Sequence, residues 1–363
     1  MIEAIQRAVL YIKEVQEIGL FAVMADSRLF IAFVSSPLYF IMLPMIGLLF
    51  TILAIINGYT LARAANKNFD AWFGFLVSAL GALCASVSLY GAVAAAAYGL
   101  VFTAGPFFFL AGGVLGALHQ GVMLGLNAYR AYESEKGSVQ RMHYVQALLN
   151  NVFVLCLTGA VLGTVLFVMI LPIAPVAGSA CAISAMLLTG AGLLWRILPN
   201  NWKQSIKGHL GLAKPVSDNR IYLDVEFSRN GSSQYANSSH PRLFSSIDYS
   251  ARVKAAQSPN KIEYYLQKII AHKVEIFNKK PHPLSDKDLQ KTTALSALSK
   301  AITEHRILKK AHISKECPQA FQSFWTQKGD VEAIFDAAEV YFDMCAIQEK
   351  KKMLAPSALL GRG

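Results

Sequence analysis

The run "GPFFFLAGGVLGALHQGVMLGLNAYR" (residues 105–130) is apolar and dotted with glycine, yet it holds His119, Gln120 and Asn127. A histidine placed in a low-dielectric interior can relay protons or gate a polar path. The simpler reading is structural, a ring that hydrogen-bonds or packs between two helices. Elsewhere the residues that do chemistry are dispersed. His272, His282, His305 and His312 lie among lysines, and Asp224 and Glu226 share one face of an alternating segment without a third partner. The tail contains no P-loop, GxSxG, HExxH or GxGxxG pattern. Cys84, Cys156 and Cys181 lie in apolar runs, Cys317 and Cys345 stand apart, and there is no CxxC. Such spacing indicates free thiols acting as small apolar side chains, with no zinc ligand set and no disulfide framework. The expectation is therefore no catalytic constellation, no metal and no cofactor.

The elements that must position the polar side chains are membrane helices. Only 16% of the 363 residues are charged and 54% are apolar, against about 25% charged in soluble domains. The charge is also uneven: residues 1–195 carry a net +1, and residues 196–363 a net +10. An apolar half is followed by a basic, water-soluble half.

Three stretches, 29–62, 71–129 and 142–195, contain no Asp, Glu, Lys or Arg. A span needs about 20 residues, so the second and third stretches each fit two helices. Gly99, Gly105 and Pro106 can turn the chain in one hairpin, and Pro172 and Pro175 in the other. The expected spans are 72–97, 106–128, 150–171 and 176–197. The first stretch predicts one tilted span over 29–57, roughly 43 Å long, although Pro37 and Pro44 would also allow a re-entrant hairpin. Residues 1–28 precede it as an amphipathic helix, with Ile2, Ile5, Val9 and Ile12 opposite Glu3, Gln6, Arg7 and Lys13. That helix is expected on the membrane surface or packed on the bundle.

Orientation follows the Lys/Arg bias of short loops. Arg63 and Lys67 lie in one loop, Arg130, Lys136 and Arg141 in another, and Arg196, Lys203 and Lys207 follow the last span, while the hairpin turns are uncharged. The charged loops and the tail are thus expected in the cytosol. Five spans would then put Arg7, Lys13 and Arg28 on the opposite side, which favours the re-entrant alternative. The sequons at Asn230 and Asn237 would stay unmodified in a cytosolic tail.

Small residues mark helix contacts. Gly112 and Gly116, then Gly121 and Gly125, repeat at four-residue spacing on one helix, a pattern that permits close backbone approach within the bundle or between copies. Trp195, Arg196, Trp202, Lys203 and Lys207 form an aromatic and basic border to the last span, suited to anionic headgroups.

The tail divides into a basic linker (199–219), a mostly helical α+β domain (220–352) and a flexible end (353–363). "RIYLDVEFSR" (220–229) alternates as a strand closed by "NGSS", and 242–254 offers a second one. Ser285 and Asp288 predict a capping box for a helix over 286–310. "HRILKKAH" (305–312) predicts a basic helical patch, Pro318 opens another helix, and 330–352 is amphipathic. The basic surface lacks the aromatic platforms that nucleic acid requires. The expected fold class is an α-helical integral membrane protein of about five transmembrane helices followed by this cytosolic domain.

This layout resembles the multi-pass effectors that intracellular bacteria deliver through type IV secretion, which combine helical hairpins, an idiosyncratic helical domain and a charged C-terminal segment. Here "QEKKKMLAPSALLGRG" is basic, whereas many such signals are rich in glutamate. The resemblance implies insertion in a host membrane. On residues alone, the leading reading is a non-enzymatic membrane protein whose bundle anchors a domain that binds a protein partner or anionic lipid. A channel or transporter lined by His119, Gln120 and Asn127 is the alternative, and a membrane-shaping hairpin protein a third.

Overall fold

The structure is a computed structural model describing residues 2–354, apart from 65, 135–138, 172–173, 214–248, 257, 280–283 and 326–327. It forms two compact units. The first comprises 1–64, 70–129 and 144–213, and the second comprises 65–69, 130–143 and 214–363.

In the first unit, α1 (Ile2–Met24) and the short α2 (Ser27–Val34) lead into five helices long and apolar enough to cross a membrane: α3 (Pro37–Arg63), α4 (Phe69–Ala97), α5 (Gly105–Glu133), α6 (Val139–Thr164, continued by a π-helical turn, Val165–Ile170) and α7 (Pro175–Ile197). The chain is thus a helical, multi-pass membrane protein in its first half. Leu83, Leu118, Leu187 and Ile55 point outward and are exposed, the arrangement lipid requires and water penalises.

The first span differs from expectation at both ends. Asp26 Oδ1 accepts from the amides of Arg28 (2.7 Å) and Leu29 (3.3 Å), capping α2 as a separate helix. Ser36 then takes the extended N-cap conformation with Pro37 at the first helical position, where a missing N–H costs nothing. From there α3 is helical through Pro44 to Arg63, so no re-entrant turn forms at that proline.

α1 packs against α7 and α3, running antiparallel to each. Glu14 meets Arg196, while Phe21 and Met24 cluster with Ala182 and Ala185. Likewise Lys13 lies over the Phe50 ring, and a Cβ on Gly19 would meet Met42. Its amphipathicity is inverted relative to a soluble helix. Ile5, Ile12 and Val15 are exposed, whereas Val9, Phe21 and Met24 are buried and Lys13, Glu14 and Glu17 are part-buried. Helices whose surroundings are lipid turn charges inward in this way.

α4 and α5 are also antiparallel. At one end of the pair a Cβ on Gly112 would lie 3.2 Å from Cys84 Cβ, and at the other His119 faces Phe73. Their connection begins with Gly99 at φ +68°, where the amides of Leu100 and Gly99 close back onto the carbonyls of Ala95 and Ala96. Only glycine takes that left-handed position without strain. After α7, α8 (Asn200–His209) occupies the expected linker.

The second unit contains α9 (Tyr249–Ala255), α10 (Pro259–Asn278), α11 (Asp286–Thr303), α12 (Lys310–Glu316) and α13 (Asp330–Leu354). Val253, Ile262, Leu266, Leu295, Leu298, Ile302, Ile334 and Phe335 form one continuous core. Among the described residues there is no strand. The predicted strand 220–229 and residues 242–248 of the second lie outside the described residues, and 249–254, expected to be extended, is helical. The α+β assignment is corrected to all-helical for the described part, because Tyr249 and Val253 enter the core one helical turn apart.

Ser285 does cap α11, accepting from the Asp288 amide at 3.2 Å. The helix stops at Thr303 instead of 310. The Arg306 amide reaches Ala301 O (2.9 Å) and the His305 amide reaches Ile302 O (3.1 Å), with His305 at φ +50°. This is a Schellman end in which histidine occupies the usual glycine position, so "HRILKKAH" is a non-helical connection followed by the start of α12. Pro318 opens a turn, not a helix. The last residues, 355–363, lie outside the described residues.

Candidate functional site

His119 sits on the face of α5 that meets α4. Its ring centroid lies 5.0 Å from that of Phe73, and a Cβ on Gly74 would be 3.7 Å from its Nε2. A methyl at position 74 would thus touch the imidazole at ordinary contact distance. Gln120 Nε2 lies 3.3 Å from His119 Nδ1. Asn127 lies two turns further along α5, buried, with Oδ1 lacking a hydrogen-bond partner among the described residues. His119 and Gln120 are thus together, and Asn127 does not join them. The groove on α5 formed by Val114, Ala117, Leu118, Gly121 and Val122 is apolar.

The glycines divide similarly. Gly112 approaches Cys84 and the Gly81 carbonyl closely, whereas a Cβ on Gly116, Gly121 or Gly125 would meet nothing within 4 Å. Gly112 is a packing residue of the bundle, and the other three are open in a single copy.

Polar side chains that sequence reasoning overlooked tie α3 to α4. Asn57 Nδ2 donates to Ser78 Oγ at 2.9 Å, and the hydroxyls of Thr51 and Ser86 are 3.3 Å apart. Serine and threonine in apolar helices carry little sequence signal, because they also bond their own backbone, as Thr51 does to Gly47 O.

A second overlooked group comes from α1. Lys13 Nζ is 2.7 Å from Glu17 Oε1, and Arg196 Nη1 is 3.1 Å from Glu14 Oε1. The four charges cancel in pairs. Among the headgroup candidates, then, Arg196 is exposed but paired with Glu14, while Lys203 donates to Arg196 O (3.1 Å) and Lys207 to Gln146 Oε1 (3.2 Å). Trp195 and Trp202 are exposed and remain suited to an interface.

In the second unit, segments distant in sequence close on one another. The Phe69 amide donates to Phe324 O at 2.6 Å, and the Ser323 amide to Asn66 Oδ1 at 2.9 Å. Arg130, 1% exposed, donates from Nη2 to Trp325 O at 2.8 Å. Phe69 stacks on Trp325 (centroids 5.5 Å, 26°), and Phe324 meets both rings edge-on. A buried arginine on a backbone carbonyl is costly to assemble and to break, so this clip fixes the segment 321–325 against the two charged loops. The pair "FW" in a stretch without helical periodicity was its only sequence signal.

The same unit holds an ion-pair node. Lys310 Nζ lies 2.7 Å from Glu332 and 3.0 Å from Asp336, and Asp336 also receives Lys328 at 2.6 Å. Burial opposes the charge on Lys310, but the two carboxylates outweigh it and hold its pKa above the ordinary lysine value. Burial also pushes the Cys317 thiol up, away from the range of reactive thiolates. Among the described residues, no three His, Cys, Asp or Glu side chains gather as metal ligands. No protein-family model matches the chain, and neither a curated protein nor a solved structure is detectably similar to it.

Proposed function

We propose that this is a non-enzymatic multi-pass membrane protein whose helical bundle anchors a basic, helical domain on the cytosolic side, and that this domain docks onto an acidic surface. The observation that carries the reading is the composition of the second unit, in which 65–69 and 130–143, the two loops selected by their Lys and Arg content, share a compact body with the tail. That body has its own core and an outer surface with Lys254, Lys261, Lys268, Lys279, Lys300, Arg306, Lys309 and Lys315 exposed. The direction of α1 supports the same sidedness. Being antiparallel to α3 and α7, it carries Arg7 toward the ends occupied by Arg63 and Arg196 and leaves Arg28 at the opposite end, which reduces the charge conflict of a five-span count. Anionic headgroups suit this surface, each favourably placed cation contributing about 1 kcal/mol. A protein partner with an acidic face is the other occupant. Placement in a host membrane, as for a secreted effector, is compatible with the layout. The packing of His119 against α4 favours a structural role over a polar path.

The test uses the full chain in nanodiscs, offered vesicles of neutral or phosphatidylserine-containing lipid. The reading expects capture of the anionic vesicles only, weakening steeply with salt. Equal capture of neutral vesicles, or capture insensitive to salt, would contradict the electrostatic docking.

A further inference from the structure

We infer that Phe324 and Trp325 form an interfacial anchor that enters the headgroup layer of the membrane the protein itself spans. The inference rests on the membrane-anchor reading and adds a specific contact to it. Phe324 and Trp325 are 47% and 52% exposed, large values for side chains that also stack on one another and on Phe69. A clip serving only to hold the domain together would bury these rings.

The occupant follows from what the rings are attached to. Phe69 is the first residue of α4, with Asp70 in its first turn, so it marks the point where that span enters apolar surroundings. Trp325 stacks on Phe69 at 5.5 Å, and the Phe69 amide is bonded to Phe324 O. The rings are therefore held against the residue that opens α4. Lys67, two residues before Phe69, is exposed, and Tyr132, in the last turn of α5, is exposed as well. Aromatic rings beside a cation are the composition of a membrane–water border.

Of the four tryptophans of the chain, Trp72 lies in the first turn of α4, Trp195 in the last turn of α7 and Trp202 at the start of α8. The fourth, Trp325, is remote in sequence and stacks on Phe69, the residue that opens α4. Indole prefers the membrane–water border because its ring is apolar while its N–H still finds a polar partner. A protein partner would leave the rings indifferent to lipid depth, so lipid depth is what the experiment reads.

The Trp72→Phe, Trp195→Phe, Trp202→Phe variant of the full chain leaves Trp325 as the sole indole, and it is reconstituted in phosphatidylcholine/phosphatidylglycerol vesicles. Lipids brominated just below the carbonyls should quench its emission about twofold, those brominated near the chain ends much less, and aqueous acrylamide little. Efficient acrylamide quenching without bromine quenching, or quenching by neither, would overturn the inference. Should the triple variant fail to insert, the difference in bromine quenching between the natural chain and Trp325→Phe reads the same ring. Carbonate extraction separates the two levels. A chain retained in the membrane whose Trp325 ignores brominated lipid sinks the anchor alone, whereas a chain released by carbonate sinks the membrane reading beneath it.

Discussion

Replacing Arg130 with methionine should loosen the clip without unfolding the helical domain that it fastens. Methionine approximates the apolar stem and volume of the arginine, and the loss that bears on the clip is the guanidinium hydrogen bond to Trp325 O at 2.8 Å. Hydrogen bonds from charged donors contribute about 1.5–3 kcal/mol, more where the abandoned acceptor stays buried. Taking about 2 kcal/mol, and about 1.4 kcal/mol per factor of ten, the open form of segment 321–325 should become roughly thirtyfold more populated. Two amides report on it directly: Ser323, bonded to Asn66 Oδ1, and Phe69, bonded to Phe324 O. Hydrogen exchange resolved to single residues should show both speeding up by roughly that factor. The amides of Leu295 and Leu298, in the core of the same unit, should keep their rates. Acceleration of less than about threefold at both reporter amides would refute the reasoning. Parallel acceleration in the core would show that Arg130 supports the whole domain and not the clip.

Three further outcomes follow from local geometry. Gly112→Leu should destabilise the bundle by about 1–3 kcal/mol in a denaturant titration, because Cys84 and the Gly81 carbonyl occupy the space. Gly121→Leu, which meets open space, should be nearly neutral unless copies associate through that face. His305→Gly should raise the thermal stability of the second unit by about 1 kcal/mol, since glycine relieves the positive φ at the end of α11. Lys310→Met should cost about 1 kcal/mol, a value reduced for the partial exposure of the node. A lysine whose folded pKa is raised contributes stability that is complete below its unfolded pKa and lost as pH rises through the folded value. The natural chain should therefore weaken above about pH 10.5, and the variant should lack that alkaline component.

The spans were legible because lipid leaves a coarse signature, long stretches free of charge. Their ends were less so. α6 begins at Val139, not 150, because "VQRMHYVQALLNN" continues the helix beyond the apolar stretch, and a hydropathy argument locates the membrane and not the helix. Periodicity revealed that α1 has two faces but not which of them packs on the bundle, and in the structure Lys13, Glu14 and Glu17 turn inward. The end of α11 was hidden because a histidine adopts the conformation that glycine normally announces. The clip was hidden for a different reason. Asn66, Phe69 and Arg130 lie near the ends of spans, and their partners follow 195 to 257 residues later, a pairing that no local pattern encodes. His119 was singled out because histidine is rare in such surroundings, but its contact with Phe73 and Gly74 depended on the register of α4 against α5.

The central claim is sidedness: the N-terminus, both charged loops and the tail share one face of the membrane. The chain carries its own reporters, the sequons at Asn230 and Asn237. Translated into endoplasmic-reticulum microsomes, a glycan-accepting compartment, the full chain should migrate identically with and without endoglycosidase, and an epitope at its N-terminus should be digested by protease added outside. A glycosidase-sensitive shift, or an epitope protected until detergent is added, would contradict the account.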